Sequence, residues 1–145
     1  MRKTRLRLMR KIEKIVIHCT ATPENRHHNV ADITRWHIKR GFSTIGYHFL
    51  IHLDGTIETG RDIKRIGAHT SGQNTGSIGI CYVGGMSKDM KKSKDTRTQA
   101  QKDSLIKLMH ELIYKYNKDM TIHGHNEFSN KKCPSFNVQE EYANL

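Results

Sequence analysis

Cysteine is scarce in this chain of 145 residues: the three present could form at most one disulfide and would leave one thiol over. That argues against a small secreted scaffold held by bridges and for reduced thiols or a metal ligand. Long apolar runs are missing too, and no window approaches the roughly 18 consecutive apolar residues that a membrane span needs. The basic start Met1-Arg2-Lys3-Thr4-Arg5-Leu6-Arg7-Leu8 resembles the opening of a secretory leader. Charges then return at Arg10, Lys11, Glu13 and Lys14, where a leader's apolar segment belongs, so export by signal peptide is not expected. Internal repeats and low-complexity segments are absent, and no carboxylate stands out as a general base.

What is present suits one compact domain. Apolar residues make up 35% of the chain, enough for one core and hardly for two. A domain near this size buries about 70% of the surface its unfolded chain exposes and stands without staples. Lys and Arg total 25 against 14 Asp and Glu, a formal net charge of +11. More than half of that excess lies in residues 1–14, and a second basic stretch runs from Lys88 to Lys102, leaving the rest near neutral. Such runs attract polyanions of any kind, because charge density carries no chemical identity. A basic arm over residues 1–13 and a folded domain over 14–145 is the expected division.

Lys14-Ile15-Val16-Ile17-His18-Cys19 is a β-branched run that reads as a strand buried on both faces, inside a sheet. Asn29 can cap a helix carrying Val30, Ile33, Trp36 and Arg40 at helical spacing, stopped by Gly41, with Trp36 expected in the core. Gly46 to His52 and Thr56 to Thr59 flank Asp54-Gly55, a strong hairpin signal. Residues 60–76, rich in Gly, Ser, Thr and Asn, predict a surface loop, and Ser77 to Val83 another buried strand ended by Gly84-Gly85. Thr98 with Gln101 forms a capping box before a helix striped by Leu105, Leu108, Met109, Leu112, Ile113 and Tyr116. Thr121-Ile122-His123 predicts a short strand, and the tail from Gly124 a loop containing Pro134. Strands interleaved with two helices give an α/β domain: a central mixed sheet flanked by helices.

Ten histidines make a metal site the first chemistry to test. The informative ones follow strand ends, where side chains project into a crevice at the sheet edge. His18 ends the first strand, and Gly124-His125-Asn126-Glu127 leaves the last and runs on to Lys131-Lys132-Cys133-Pro134. Two histidines and a thiolate from separated elements would give zinc three protein ligands and leave a fourth position for water, the arrangement of a catalytic site. The His125-x7-Cys133 spacing fits no common zinc-finger pattern. Cys19 and Cys81 read as small buried hydrophobes, with Cys19 turned to the face opposite His18 by strand alternation.

In order along residues 14–136 stand Ile17-His18-Cys19-Thr20-Ala21-Thr22, Trp36-His37, Gly46-Tyr47-His48-Phe49, Asp54-Gly55-Thr56, Gly60-Arg61, Asn74 with Ser77-Ile78-Gly79-Ile80-Cys81, Val83-Gly84-Gly85, Gly124-His125-x-Glu127 and Lys131-x-Cys133-Pro134-Ser135-Phe136. This series resembles the zinc-dependent N-acetylmuramoyl-L-alanine amidases, especially the small single-domain bacteriophage enzymes historically called lysozymes, and more distantly the peptidoglycan recognition proteins of animals. The resemblance implies one Zn2+ ion bound by His18, His125 and Cys133 in a surface cleft, with Tyr47 and Lys131 as the catalytic pair that does not bind metal. His125, preceded by Gly124 and followed two residues on by Glu127, matches the family's ligand step, which leaves His123 a structural strand residue. His69 and Asn74 occupy positions where the family contacts substrate. Glu127 is a candidate to orient a ligand from behind or to form a loop salt bridge. The implied reaction is hydrolysis of the amide between N-acetylmuramic acid and L-alanine in bacterial peptidoglycan. The implied setting is a phage or prophage endolysin, a monomer made in the host cytoplasm and acting on the wall after release.

Two other classes compete. The same fold occurs as a non-catalytic peptidoglycan-binding module, and such forms commonly lack the cysteine ligand. The basic arm could instead serve a polyanion or a polymerase, since some related phage amidases look bifunctional; nothing in the family pattern transfers to residues 2–13.

Overall fold

The computed structural model describes residues 10–145. Strand β1 (Lys14–Cys19) is followed by a two-residue β2 (Thr22–Pro23), helix α1 (Val30–Lys39), and the hairpin of β3 (Phe49–Ile51) and β4 (Ile57–Thr59). Next come β5 (Ser77–Tyr82), a two-residue β6 (Gly85–Met86) and the long helix α2 (Gln99–Tyr116). Strand β7 (Thr121–Gly124), a 3-10 turn (His125–Glu127) and the short helix α3 (Val138–Tyr142) complete the chain. The main sheet has the order β4-β3-β5-β1-β7, parallel except for the β3–β4 hairpin, so it is the mixed sheet expected from sequence.

Strand alternation divides the interior into two layers. Ile15, Ile17 and Cys19 of β1 and Ile78, Ile80 and Tyr82 of β5 face α2 and α3, where they meet Leu105, Leu108, Met109, Leu112, Val138 and Tyr142. Cys81 and Val83 face the other way, with Ile33 of α1, Ile45 and Leu50. Each fully buried aliphatic side chain contributes about 1.5–3 kcal/mol, so the two layers fix the sheet between helices. His18 lies opposite Cys81 in the β1–β5 register, which turns it to the α1 side and away from Cys19.

Both anticipated helix starts form full capping boxes, Asn29 with Asp32 and Thr98 with Gln101. Several expectations need correction. Trp36 is 37% exposed and stands edge-on to His28, because α1 buries Ile33 and His37, one turn apart, against the sheet. The tail after Gly124 is not plain loop: Asn137 caps α3, which anchors Val138 and Tyr142 in the core. Thr22–Pro23 and Gly85–Met86, which no sequence period marks, pair as a small parallel sheet. Gly85 has φ +104, and a Cβ there would meet Cys19 Sγ at 2.4 Å, so only glycine lets this crossing approach β1. The expected arm overlaps the body: Ile12 is buried, Glu13 N donates to Gly76 O, and Arg10 Nε donates to Ile63 O at 3.0 Å. Its remaining residues, 1–9, lie outside the described residues. Among the described residues no helix is long and apolar enough to cross a membrane.

Candidate metal centre and cleft

The site forms at the carboxyl ends of β1 and β7, where an open α/β sheet leaves a crevice. β1 delivers His18 at its penultimate position, β7 runs directly into the turn that carries His125, and the following loop returns Cys133. Nitrogen and sulfur atoms of these three residues all lie within 4.8 Å of one another. His18 Nδ1 is 3.7 Å from Cys133 Sγ. Ligands about 2.0–2.1 Å (N) and 2.3 Å (S) from a tetrahedral zinc stand about 3.6 Å apart, so the spacing fits a shared ion.

The loop bearing Cys133 is held from three sides. Tyr82 Oη donates to Pro134 O at 2.6 Å, Ser135 Oγ donates to Gly85 O at 2.9 Å, and Cys19 N donates to Cys133 Sγ at 3.2 Å. The turn bearing His125 is fixed by Glu127, whose carboxylate accepts from Gly124 N at 2.8 Å, pairs with His123 Nδ1 at 2.9 Å and receives Gln139. Of the two roles expected for Glu127, the loop contacts are present, and they act on the backbone ahead of His125. His123 is accordingly a structural strand residue, bonded to Glu127 and Thr121.

Electrostatics favour ligation. Burial, and then the neighbouring His69, His125, Lys131 and His37, hold His18 well below the ordinary histidine range. Burial and the Lys131 ammonium also lower His125, so both imidazoles offer lone pairs at neutral pH. The hydrogen bond with Cys19 and burial push the Cys133 thiol up, so its deprotonation calls for a cation at the cluster.

Tyr47 and Lys131 reach the same place. The Tyr47 ring is 5.0 Å from that of His18, and burial, then the sulfur atoms of Cys81, Cys133 and Cys19, push its phenol well above the usual range, keeping it a donor. Both residues line a cleft of about 390 Å³ with His37, Arg40, Phe42, Ser71, Phe128 and His125. A neighbouring polar hollow of about 560 Å³ shares Lys131 as a wall. The roomier apolar groove of about 920 Å³ between α2 and the hairpin is lined by none of these cluster residues among the described residues.

His69 and Asn74 also border the cleft. Asn74 Oδ1 accepts from His69 N and Thr70 N, at 2.9 and 2.8 Å, and so clamps its own loop. His69 is buried, with Nδ1 2.9 Å from His18 Nε2 and Nε2 3.3 Å from Ser77 Oγ. Thr70 and Ser77, which complete these contacts, carried no signal in the sequence because their partners lie across a loop without periodicity. Of the other cleft residues, Arg40 was read only as a helix position, and Phe42, in the turn after it, carried no signal.

The fold and the cluster define the class: an α/β domain with two imidazoles and a thiol able to hold one metal ion at the mouth of a cleft. The family described as N-acetylmuramoyl-L-alanine amidase matches residues 8–136, and this chain belongs to it. The endolysin of Escherichia phage T7 is 40% identical over 127 residues, covering 88% of this chain and 83% of that one. Among solved structures, the amidase LysC of Clostridium intestinale superposes with a TM-score of 0.74 at 33% identity, over 88% of this chain and 79% of that one. Drosophila PGRP-LB gives 0.77 at 25% identity, over 94% and 82%. The chain is thus a peptidoglycan amidase, and it hydrolyses the amide between N-acetylmuramic acid and L-alanine.

Proposed function

We propose that His18, through Nδ1, together with His125 and Cys133 holds one zinc ion, and that Tyr47 and Lys131 act on the scissile amide beside it. The supporting observation is the meeting of three ligand atoms within 4.8 Å on a cleft whose wall carries both Tyr47 and Lys131. A bound zinc with these ligands supplies a water nucleophile at neutral pH and polarises a carbonyl oxygen. The chain's own residues do the rest. His18 and His125, kept neutral by burial, hold the ion without adding charge, and Cys133 neutralises one of its two positive charges. Tyr47, protonated throughout the neutral range, donates a hydrogen bond to the oxygen that becomes negative when the amide is attacked. Lys131 brings a full positive charge and three N–H donors to the same oxygen, from a position open enough to admit a polymeric substrate. Asn74 and Glu127 keep the two bordering loops in place.

In this reading the protein works as an endolysin, made in the host bacterium and reaching its wall after release, with the basic residues among positions 1–13 attracting a polyanion such as the wall. The test is digestion of purified peptidoglycan, with mass spectrometry of the products. Free stem peptides beginning with L-alanine, released with zinc and abolished by a chelator, are expected. Tight binding of muropeptides without product, or product formation indifferent to the chelator, contradicts the reading.

A further inference from the structure

We infer that His69, acting with Thr70 and Ser77, is a positioning residue that sets the tautomer of His18 so that Nδ1, the nitrogen facing Cys133, carries the lone pair. The inference rests on the zinc reading above and concerns residues behind the ligand, not the ligand set itself.

The hydrogen positions follow from one fixed group. The backbone carbonyl of Asn74 can only accept, and Ser77 Oγ lies 3.2 Å from it, so the Ser77 hydrogen points there. Ser77 Oγ is then an acceptor for His69 Nε2 at 3.3 Å, which puts the His69 proton on Nε2 and leaves Nδ1 bare. Two groups face that bare nitrogen, Thr70 Oγ1 at 2.8 Å and His18 Nε2 at 2.9 Å, and they lie 3.1 Å from each other. Both contacts are satisfied when His18 carries its proton on Nε2, donating to His69 Nδ1 or to Thr70 Oγ1. His18 Nδ1, 3.7 Å from Cys133 Sγ, then offers its lone pair toward the cluster. A carbonyl in the loop leading into β5 thereby decides which nitrogen of His18 can ligate, through the buried side chains of Ser77, His69 and Thr70.

The packing around His69 depends on two glycines. A Cβ on Gly79 would come within 2.5 Å of His69 Cδ2, and one on Gly67 equally close, so two glycines let the imidazole lie against β5. The Asn74 clamp on His69 N and Thr70 N fixes the backbone from which both side chains project. With both ring nitrogens engaged by protein groups, His69 acts through His18 and has no ring nitrogen left for substrate. Imidazole ligands whose outer nitrogen is held in this way typically lose 10–100-fold in metal affinity when the partner is removed.

Histidine ¹⁵N NMR of the full chain, with and without zinc, reads the tautomer directly. His18 is expected as the Nε2–H form in both states. In His69→Phe combined with Thr70→Val, which keeps bulk and removes both acceptors, zinc affinity measured by chelator competition should fall about 10–100-fold. Wall hydrolysis should return at saturating zinc, and Ser77→Ala should show a smaller loss of affinity. A His18 proton on Nδ1, or a double variant that binds zinc as tightly as the parent, overturns the inference while leaving the zinc site standing. A parent protein that takes up no zinc overturns the metal reading and this inference with it. The parent spectrum decides the tautomer even if the double variant fails to fold.

Discussion

At the scale of single residues, the site depends on side chains used at both ends. His18 presents one nitrogen to Cys133 and the other to His69 and Thr70, which is possible because a buried interior strand fixes its ring. Tyr47 packs its ring near His18 and His37 while keeping an edge on the cleft. Replacing it tests the division of labour between metal ligands and donors. Tyr47→Phe removes the hydroxyl and little packing, so bound zinc should stay at one per chain while the turnover of muropeptide falls about 10²–10³-fold, the usual cost of one oxyanion donor. Parallel metal analysis and kinetics check this, and loss of zinc with activity would instead make Tyr47 part of the metal's support. The three residues of the cluster and Tyr47 stood out in the sequence because they end strands or sit in motifs with fixed neighbours. The contacts of the His69 ring and of Asn74 Oδ1 did not, since they arise from a hydrogen-bonded loop whose sequence has no period to read.

At the scale of elements, local chemistry wrote the helix starts plainly and the short elements poorly. Asn29 and Thr98 each satisfy backbone N–H groups that a helix leaves orphaned, and both were readable from sequence. The two-residue strands β2 and β6 and helix α3 exist because of tertiary contacts, so no periodicity marks them. Arg97 shows how such an element is held. Its side chain is 1% exposed, pairs with Asp95 and Glu141 at 2.8 and 2.7 Å, and donates to Tyr142 Oη. Its guanidinium also lies 3.4 Å from the Phe136 ring centroid, three residues past Cys133. α3 and the loop carrying the thiol are therefore tied to one cation. Arg97→Met should lower stability in urea denaturation by about 2–3 kcal/mol, below the roughly 3–5 kcal/mol for a fully buried pair because both carboxylates are partly exposed. An unchanged midpoint would show that Phe136 and Tyr142 hold the element without the charge.

At the scale of the whole molecule, a sheet between two helical layers brings residues 18, 47, 125, 131 and 133 to one edge, and the long sequence gaps among them are what parallel strands require. The same packing buries several neutral histidines, and this couples the fold to pH. Burial lowers His37 and His48 to about 4, against an ordinary value near 6.5. Between those limits the unfolded chain binds protons that the folded one refuses, so stability is complete above about pH 6.5 and is lost as pH falls toward 4. The urea midpoint should follow that course, and His48→Gln should make the decline shallower by up to about 1.4 kcal/mol per pH unit. A flat profile would mean that these rings are not held neutral by the fold.

The central claim is that one cation is shared by two imidazoles and a thiolate contributed from strands and loops far apart in sequence. Zinc-edge X-ray absorption on the purified full chain measures that ligand set directly. One sulfur at about 2.3 Å with two nitrogens and one further light atom at about 2.0–2.1 Å is the expected shell, the sulfur vanishing in Cys133→Ser. A shell of nitrogen and oxygen alone in the parent protein, or a sulfur that survives the substitution, would contradict the account.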